Sequence, residues 1–267
     1  VAAHREAPRP EGELEAPYLE VARERLRPFV EKAHGFSGWM AETKVRRLGA
    51  PPPWDYMARA RELAAKARSV LDLGTGGGER FAEVIAGLDC RRVATEEWVV
   101  NAPVAARRLA PLGAGVVRCR SLDLPFRDAT FDLVLDRHEE LEPGEVAREL
   151  APGGTVLTQQ VWGQMKELSR FIPRRSDFGN HFSGYQHGFR DAGLEVVDAR
   201  THAWTDAFES LGEVVYVLCI APWEVPDFDP LGADLEALLA LERELSTADG
   251  VLMSGGSYVI EAQKPPA

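Results

Sequence analysis

The stretch Ser69 to Phe81, SVLDLGTGGGERF, constrains the chain more than any other. An apolar segment of β character runs into a turn dense in glycine. Phe81, Val84, Ile85 and Leu88 then recur at the i, i+3, i+4, i+7 spacing of one buried helix face. Strand, glycine turn and helix in immediate succession form the opening unit of an α/β sheet. The same alternation continues. RRVATEE (91–97), GVVRC (115–119), FDLVLDRH (131–138), GTVLTQQV (154–161) and LEVVDARTHAW (194–204) read as strands, with helical patterns over 99–110, 143–151 and 180–192. This spacing predicts an α/β domain built on a mainly parallel sheet.

In such sheets ligands bind beyond the carboxyl ends of the strands, where glycine lets the backbone come close. The spacing of the turn discriminates between ligands. A dinucleotide fingerprint, G-x-G-x-x-G, begun at Gly74 and Gly76 would need its third glycine where Glu79 stands. An acid there opposes a pyrophosphate, which disfavours a nicotinamide oxidoreductase. The pattern present is Asp72-x-Gly74-x-Gly76-x-Gly78.

That pattern resembles the first motif of class I S-adenosylmethionine-dependent methyltransferases. The segment SLDLPFRDATFDLVLDRHEELEPGEVARELAPGG (121–154) is similar to the LPF…FDLV…PGG block of the ubiquinone/menaquinone-type branch, and the likeness covers roughly residues 68–162. The GTGGGE turn, the RHE strand end, TQQV and PWEVP also resemble a bacterial subgroup of that branch. The resemblance implies a Rossmann-like fold, with a seven-stranded, mostly parallel sheet and helices on both faces. It implies S-adenosyl-L-methionine as cofactor and S-adenosyl-L-homocysteine as product. Asp72 would contact the cofactor's amino group, and Gly74, Thr75, Gly76 and Gly78 would leave room for its methionine and ribose. Glu96 would accept the ribose hydroxyls, with Glu97 beside it and Trp98 on the adenine. The branch usually carries an acid where this chain has Arg120. Asp123, or the backbone of Ser121 and Leu122, would then hold the adenine.

The fourth strand ends in Asp136-Arg137-His138-Glu139. This is neither an NPPY motif nor a Pro-Cys pair, which disfavours methylation of base amines or of cytosine C5. His138 is the candidate general base, because imidazole titrates near neutral pH. Arg137 is expected to line the cofactor pocket, and Glu139 and Glu140 to open the following helix. His181, His187 and His202 lack metal-ligand spacing, and no metal is expected.

The flanks complete the organisation. Residues 1–17 are charged and Pro-rich and are expected to be disordered. Residues 18–66 read as a helical cap, 67–204 as the core, 205–255 as a helical insertion and 256–267 as a last strand and tail. Cap and insertion are the available lid material, and Trp39, Trp54, Tyr56, Trp204, Phe208, Tyr216 and Trp223 are candidate pocket aromatics. The net charge is −11, but residues 1–70 carry +3 and the remainder −14. An acidic chain repels nucleic acid, and only Lys44, Arg46 and Arg47 form a basic spot. A small-molecule methyl acceptor is therefore expected ahead of RNA, with a non-catalytic cofactor-binding module as the third reading. The three cysteines lie far apart and read as small buried thiols. With no apolar run long enough to span a bilayer and no apolar leader segment, a cytoplasmic location is expected. The sequence does not decide the oligomeric state.

Overall fold

The computed structural model describes residues 16–38, 41–176 and 179–267. Most of the tail expected over 1–17 lies outside these residues, and Ala16 and Pro17 open the first helix. Helices and strands succeed one another as α1 (Ala16–His34), β1 (Val45–Leu48), α2 (Tyr56–Ala64), β2 (Ser69–Leu73), α3 (Glu79–Ile85), β3 (Arg91–Thr95) and α4 (Ala102–Leu109). They continue as β4 (Gly115–Val117), β5 (Phe131–Arg137), α5 (Pro143–Glu149), β6 (Leu150–Val161), α6 (Phe182–Asp191) and β7 (Glu195–Phe208). The last are α7 (Leu211–Ile220), α8 (Leu235–Leu245), β8 (Ser246–Thr247) and β9 (Gly250–Gln263).

All nine strands join one sheet in the order β1-β7-β9-β6-β5-β2-β3-β4, with β8 paired to β9. Parallel pairing joins β2 to β3 and β5, β3 to β4, and β5 to β6. The strand order therefore reverses at β2, which places the glycine turn at the topological switch point, where open sheets bind ligands. Val70, Leu71 and Leu73 of β2 are fully buried. Each apolar side chain so removed from water stabilises the fold by about 1.5–3 kcal/mol. The helix stripe read from the sequence is also inside: Phe81, Val84 and Ile85 are buried under one sheet face with α2 and α4, and Leu88 packs against them. Val146 and Ala147 of α5 and Tyr185 and Phe189 of α6 cover the other face.

Two features differ from expectation. Among the described residues the sheet has nine strands rather than seven, and half of its pairings are antiparallel, because β9 runs against β6, β7 and β8, and β1 against β7. The arms β7 and β9 stay paired for six registers beyond the last β6 pair, Val161↔Ser257, out to Phe208↔Val251. That extension projects about 20 Å past the sheet's edge. It recruits Val45–Leu48, part of a segment read as helical, as an edge strand. The insertion is correspondingly shorter than 205–255, since the connection between the strands covers only residues 209–249.

The extension is roofed by α1, α7 and α8, whose Leu26, Leu211, Val214, Leu218, Leu238 and Leu241 enclose a second core with Phe208, Val251 and Met253. GEVVYVLCI, apolar without period, is helix α7 because it is buried nearly all round. The ring of Phe29 lies directly on Gly212, where any β-carbon would collide with it. Gly212→Val is therefore expected to destabilise the protein by about 1–3 kcal/mol through overpacking. Thermal denaturation checks this, together with faster proteolysis within α1.

Candidate functional site

Asp72 and Leu73 end β2, and the chain then turns through three left-handed glycines, Gly74 (φ 54°), Gly76 (φ 60°) and Gly78 (φ 80°). A side chain at any of them would be strained, so the turn requires glycine. The next strand holds the turn from its carboxyl end. Thr75 N donates to Thr95 O at 2.8 Å, and Gly74 N to the Thr95 hydroxyl at 3.3 Å. The Glu96 carboxylate spans two segments, accepting from Gly76 N at 2.7 Å and from Trp98 N at 2.8 Å. Glu96 is 7% exposed, and burial raises its pKa against those two N–H donors.

More acids gather at this turn than the sequence indicated. Burial pushes Asp72 up to about 7, with Arg137 opposing and Glu96 reinforcing. Arg137 is half-buried near the Tyr56 phenol and Asp72, and burial lowers its pKa. Glu139 was expected at a helix start, but α5 begins at Pro143 and is capped by Glu142, which accepts from Glu145 N at 2.6 Å. Glu139 instead folds back over the glycine turn. A β-carbon on Gly74 would lie 2.6 Å from Glu139 Cβ and closer still to its carboxylate. Burial pushes Glu139 up to about 7, Glu96 and Glu97 add to the shift, and the Ser121 hydroxyl opposes it. Ser121 is itself buried.

A hydrogen-bond network missed by sequence reasoning places these groups. Asp136, wholly buried, accepts from the Thr158 hydroxyl at 2.8 Å and from Gln160 Nε2 at 2.7 Å. Gln160 Nε2 also donates to Glu139 O at 2.5 Å. His138 takes a left-handed φ of 68°, uncommon outside glycine, and its N donates to Gln159 O at 2.8 Å. Only the TQQ run at the end of the fifth core strand signalled these partners.

His138 does not have a general base's environment. Trp54 Nε1, which can only donate, bonds Gln159 Oε1 at 2.8 Å. The other end of that amide is therefore the NH2 group, 3.3 Å from His138 Nε2. This makes Nε2 the lone-pair nitrogen and leaves the ring proton on Nδ1. Burial lowers the imidazole to about 3, with Arg137 and Arg47 adding to the effect. It is neutral and weakly basic at physiological pH, contrary to the role expected from the sequence.

Of the other expected residues, Leu122 and Trp98 are half-buried, whereas Glu97 and Asp123 are exposed. Arg120 Nε lies 3.8 Å from Glu97 Oε1, so these two charges face each other outside the turn. The cap closes over the opposite side. Gly38 N donates to the buried Asn101 Oδ1 at 2.8 Å, and Gly38 lies against Glu79. Glu79 pairs with Arg108 at 3.2 Å, and Arg108 Nε donates to Gly77 O. Among the candidate aromatics, Trp54 and Tyr56 sit at the ends of β5 and β6, Phe208 of β7 and Tyr216 of α7 are buried, and Trp223 is 43% exposed. Trp39 lies outside the described residues.

The basic spot is paired within the chain at the surface. Lys44 pairs with Glu209 at 2.7 Å, Arg46 with Asp249 at 2.6 Å, and the Arg47 guanidinium stacks 3.6 Å from the Trp204 ring centroid. Among the described residues, no helix is long and apolar enough to cross a membrane.

Solved structures resemble this fold. A functionally unknown protein from Deinococcus radiodurans R1 superposes with a TM-score of 0.59 at 15% identity, covering 94% of this chain and 100% of its own. A putative methyltransferase from Bacillus halodurans C-125 gives 0.56 at 19%, covering 78% and 98%. The [4+2]-cyclase SpnF gives 0.51 at 16%, covering 93% and 96%. The chain shares their fold. No protein-family model matches it, and no curated protein does.

Proposed function

We propose that this chain is a class I S-adenosylmethionine-dependent methyltransferase of the ubiquinone/menaquinone-type branch, acting on an oxygen or nitrogen of a small or medium-sized molecule. The observation that carries this reading is the acid-walled glycine turn at the switch point of the sheet. Asp72, Glu96 and Glu139 converge there on backbone held in left-handed conformations. A pyrophosphate would meet carboxylates. A ligand bearing a sulfonium, an ammonium and a ribose diol meets acceptors matched to each.

Asp72 would hold the ammonium, and Gly74, Thr75, Gly76 and Gly78 would let the ligand lie close to the backbone. Glu96 would take the ribose hydroxyls, because each of its oxygens keeps a lone pair beyond the one given to Gly76 or Trp98. Trp98 and the backbone of Ser121 and Leu122 would hold the adenine, and Arg137 would line the wall behind Asp72. Exposed Glu97 and Asp123 have no part in this assignment. The cofactor supplies a sulfonium methyl that is already electrophilic, so the chain's work is chiefly alignment and exclusion of water. His138 keeps its proton on Nδ1 and is a hydrogen-bond donor for the acceptor, not a base. The pairing of Lys44, Arg46 and Arg47 within the chain weakens the one support for an RNA methyltransferase.

Calorimetric titration tests the reading. Wild type is expected to bind S-adenosylmethionine and S-adenosylhomocysteine and to ignore NADH. Asp72→Asn is expected to weaken S-adenosylmethionine about tenfold or more, through loss of a charge-assisted contact. Binding of NADH, or of neither sulfur compound, overturns it.

A further inference from the structure

We propose that Glu139 is the charge filter of this cleft, a carboxylate placed over Gly74 that favours the sulfonium cofactor over its neutral thioether product. The inference rests on the cofactor reading above and deepens it at Glu139, the acid to which that reading gives no separate role.

The placement is built rather than incidental. β5 ends on the buried Asp136, whose carboxylate is fixed from β6 by Thr158 and Gln160. Glu139 is tied to the same group from both sides of its peptide, its N donating to Asp136 Oδ1 at 3.3 Å and its carbonyl accepting from Gln160. The left-handed His138 between them reverses the chain and returns the Glu139 side chain to the turn. Backbone held in a sparsely populated conformation by surrounding bonds is characteristic of functional sites. Any ligand approaching Gly74 meets this carboxylate.

The charge around Glu139 is lopsided. Glu96 and Glu97 face it from the end of β3, Asp136 from β5 and Glu140 from its own loop. Gln160 of β6, the Ser121 hydroxyl and the Tyr185 phenol of α6 are its neutral neighbours. Arg120 faces the exposed Glu97 at 3.8 Å, outside the turn. A half-buried carboxylate beside like charges is unfavourable until something positive arrives, and its raised pKa expresses the same deficit. A sulfonium supplies the missing charge, and methyl transfer removes it. The filter therefore grips the reactant and loosens on the product without any movement of the fold.

The test is calorimetric titration of wild type, Glu139→Gln and Glu139→Asp with S-adenosylmethionine and with S-adenosylhomocysteine at about pH 8, where Glu139 is ionised. Wild type is expected to prefer the sulfonium by about tenfold, the size of effect one partly screened charge contact gives. Glu139→Gln is expected to bring the two affinities to within about threefold, mainly by weakening the sulfonium compound, and Glu139→Asp to restore part of the preference. In wild type alone the preference should fall as the pH is lowered through about 7, as the carboxyl takes up its proton, which needs no variant to fold. A folded Glu139→Gln that keeps the wild-type ratio, or weakens both ligands equally, overturns the filter. So does a ratio in wild type that does not move with pH. Wild type that binds neither compound instead overturns the cofactor reading beneath it.

Discussion

Arg148→Met is expected to lower the stability of the protein by about 3–5 kcal/mol, the cost of leaving a buried charge without its partner. For a chain of this size that is a fall in melting temperature of about 10 °C. Glu149 beside it is wholly buried, and Arg148 Nη2 lies 2.9 Å from its Oε1. The same guanidinium bonds Leu124 O at 3.1 Å, Phe126 O at 2.8 Å, Asp128 at 2.9 Å and Glu145 at 2.8 Å. It thus ties the loop after β4 to the end of α5. The defect should depend on pH in a determined direction. Burial raises Glu149 to about 7, with Arg148 opposing. An acid whose folded pKa is raised costs no stability below its unfolded value near 4.5, costs progressively more from there up to the folded value, and carries its full cost above it. Removing Arg148 raises the folded value further. The variant should therefore lie nearest wild type at about pH 5 and furthest from it above about pH 7. Thermal denaturation across that range checks the direction. The double variant with Glu149→Gln should recover much of the loss, because no buried charge then remains unpaired.

That staple explains a motif whose meaning the sequence left open. The LPF…FDLV…PGG block was attached to the cofactor only through its family likeness. In the fold, Leu124 and Phe126 of LPF give their carbonyls to Arg148, just before PGG, and the buried Ser121 stands at the head of the same loop. The block thus fixes the loop that carries Ser121. The turn from Asp72 to Gly78 and the buried stripe of α3 were legible because both are local, set by φ preferences and by a 3.6-residue period. Strand β1 was not legible, since VRRL has no period of its own and is a strand only because the far ends of β7 and β9 offer it an edge. Lys44 before it and Arg46 and Arg47 within it looked available for nucleic acid because their partners Glu209, Asp249 and Trp204 lie far along the chain. Glu139 was misread for a related reason. From sequence spacing it precedes a helix, and only the left-handed turn at His138 and the bonds from β6 send it back to Gly74.

Glu96→Ala is expected to weaken S-adenosylmethionine binding by about 100-fold or more, whereas Glu97→Ala should stay within about twofold of wild type. The two acids are adjacent in sequence and opposite in circumstance. Glu96 is buried and accepts from the backbone of Gly76 and Trp98, while Glu97 is exposed and faces Arg120. Truncating Glu96 removes the proposed acceptor of the ribose hydroxyls, and it also orphans two N–H groups. Each charge-assisted bond of this kind contributes roughly 1.5–3 kcal/mol, and an unmet buried donor costs about as much. The loss therefore has two parts that separate experimentally. If Glu96 only held the ligand, amide hydrogen exchange at Gly76 and Trp98 in the free protein would match wild type. The expected result is faster exchange at both amides, because the carboxylate shapes the turn before any ligand arrives. Exposed pairs such as Glu97 and Arg120 contribute little. An equal loss of affinity in Glu97→Ala would mean that the ribose acceptor had been assigned to the wrong neighbour.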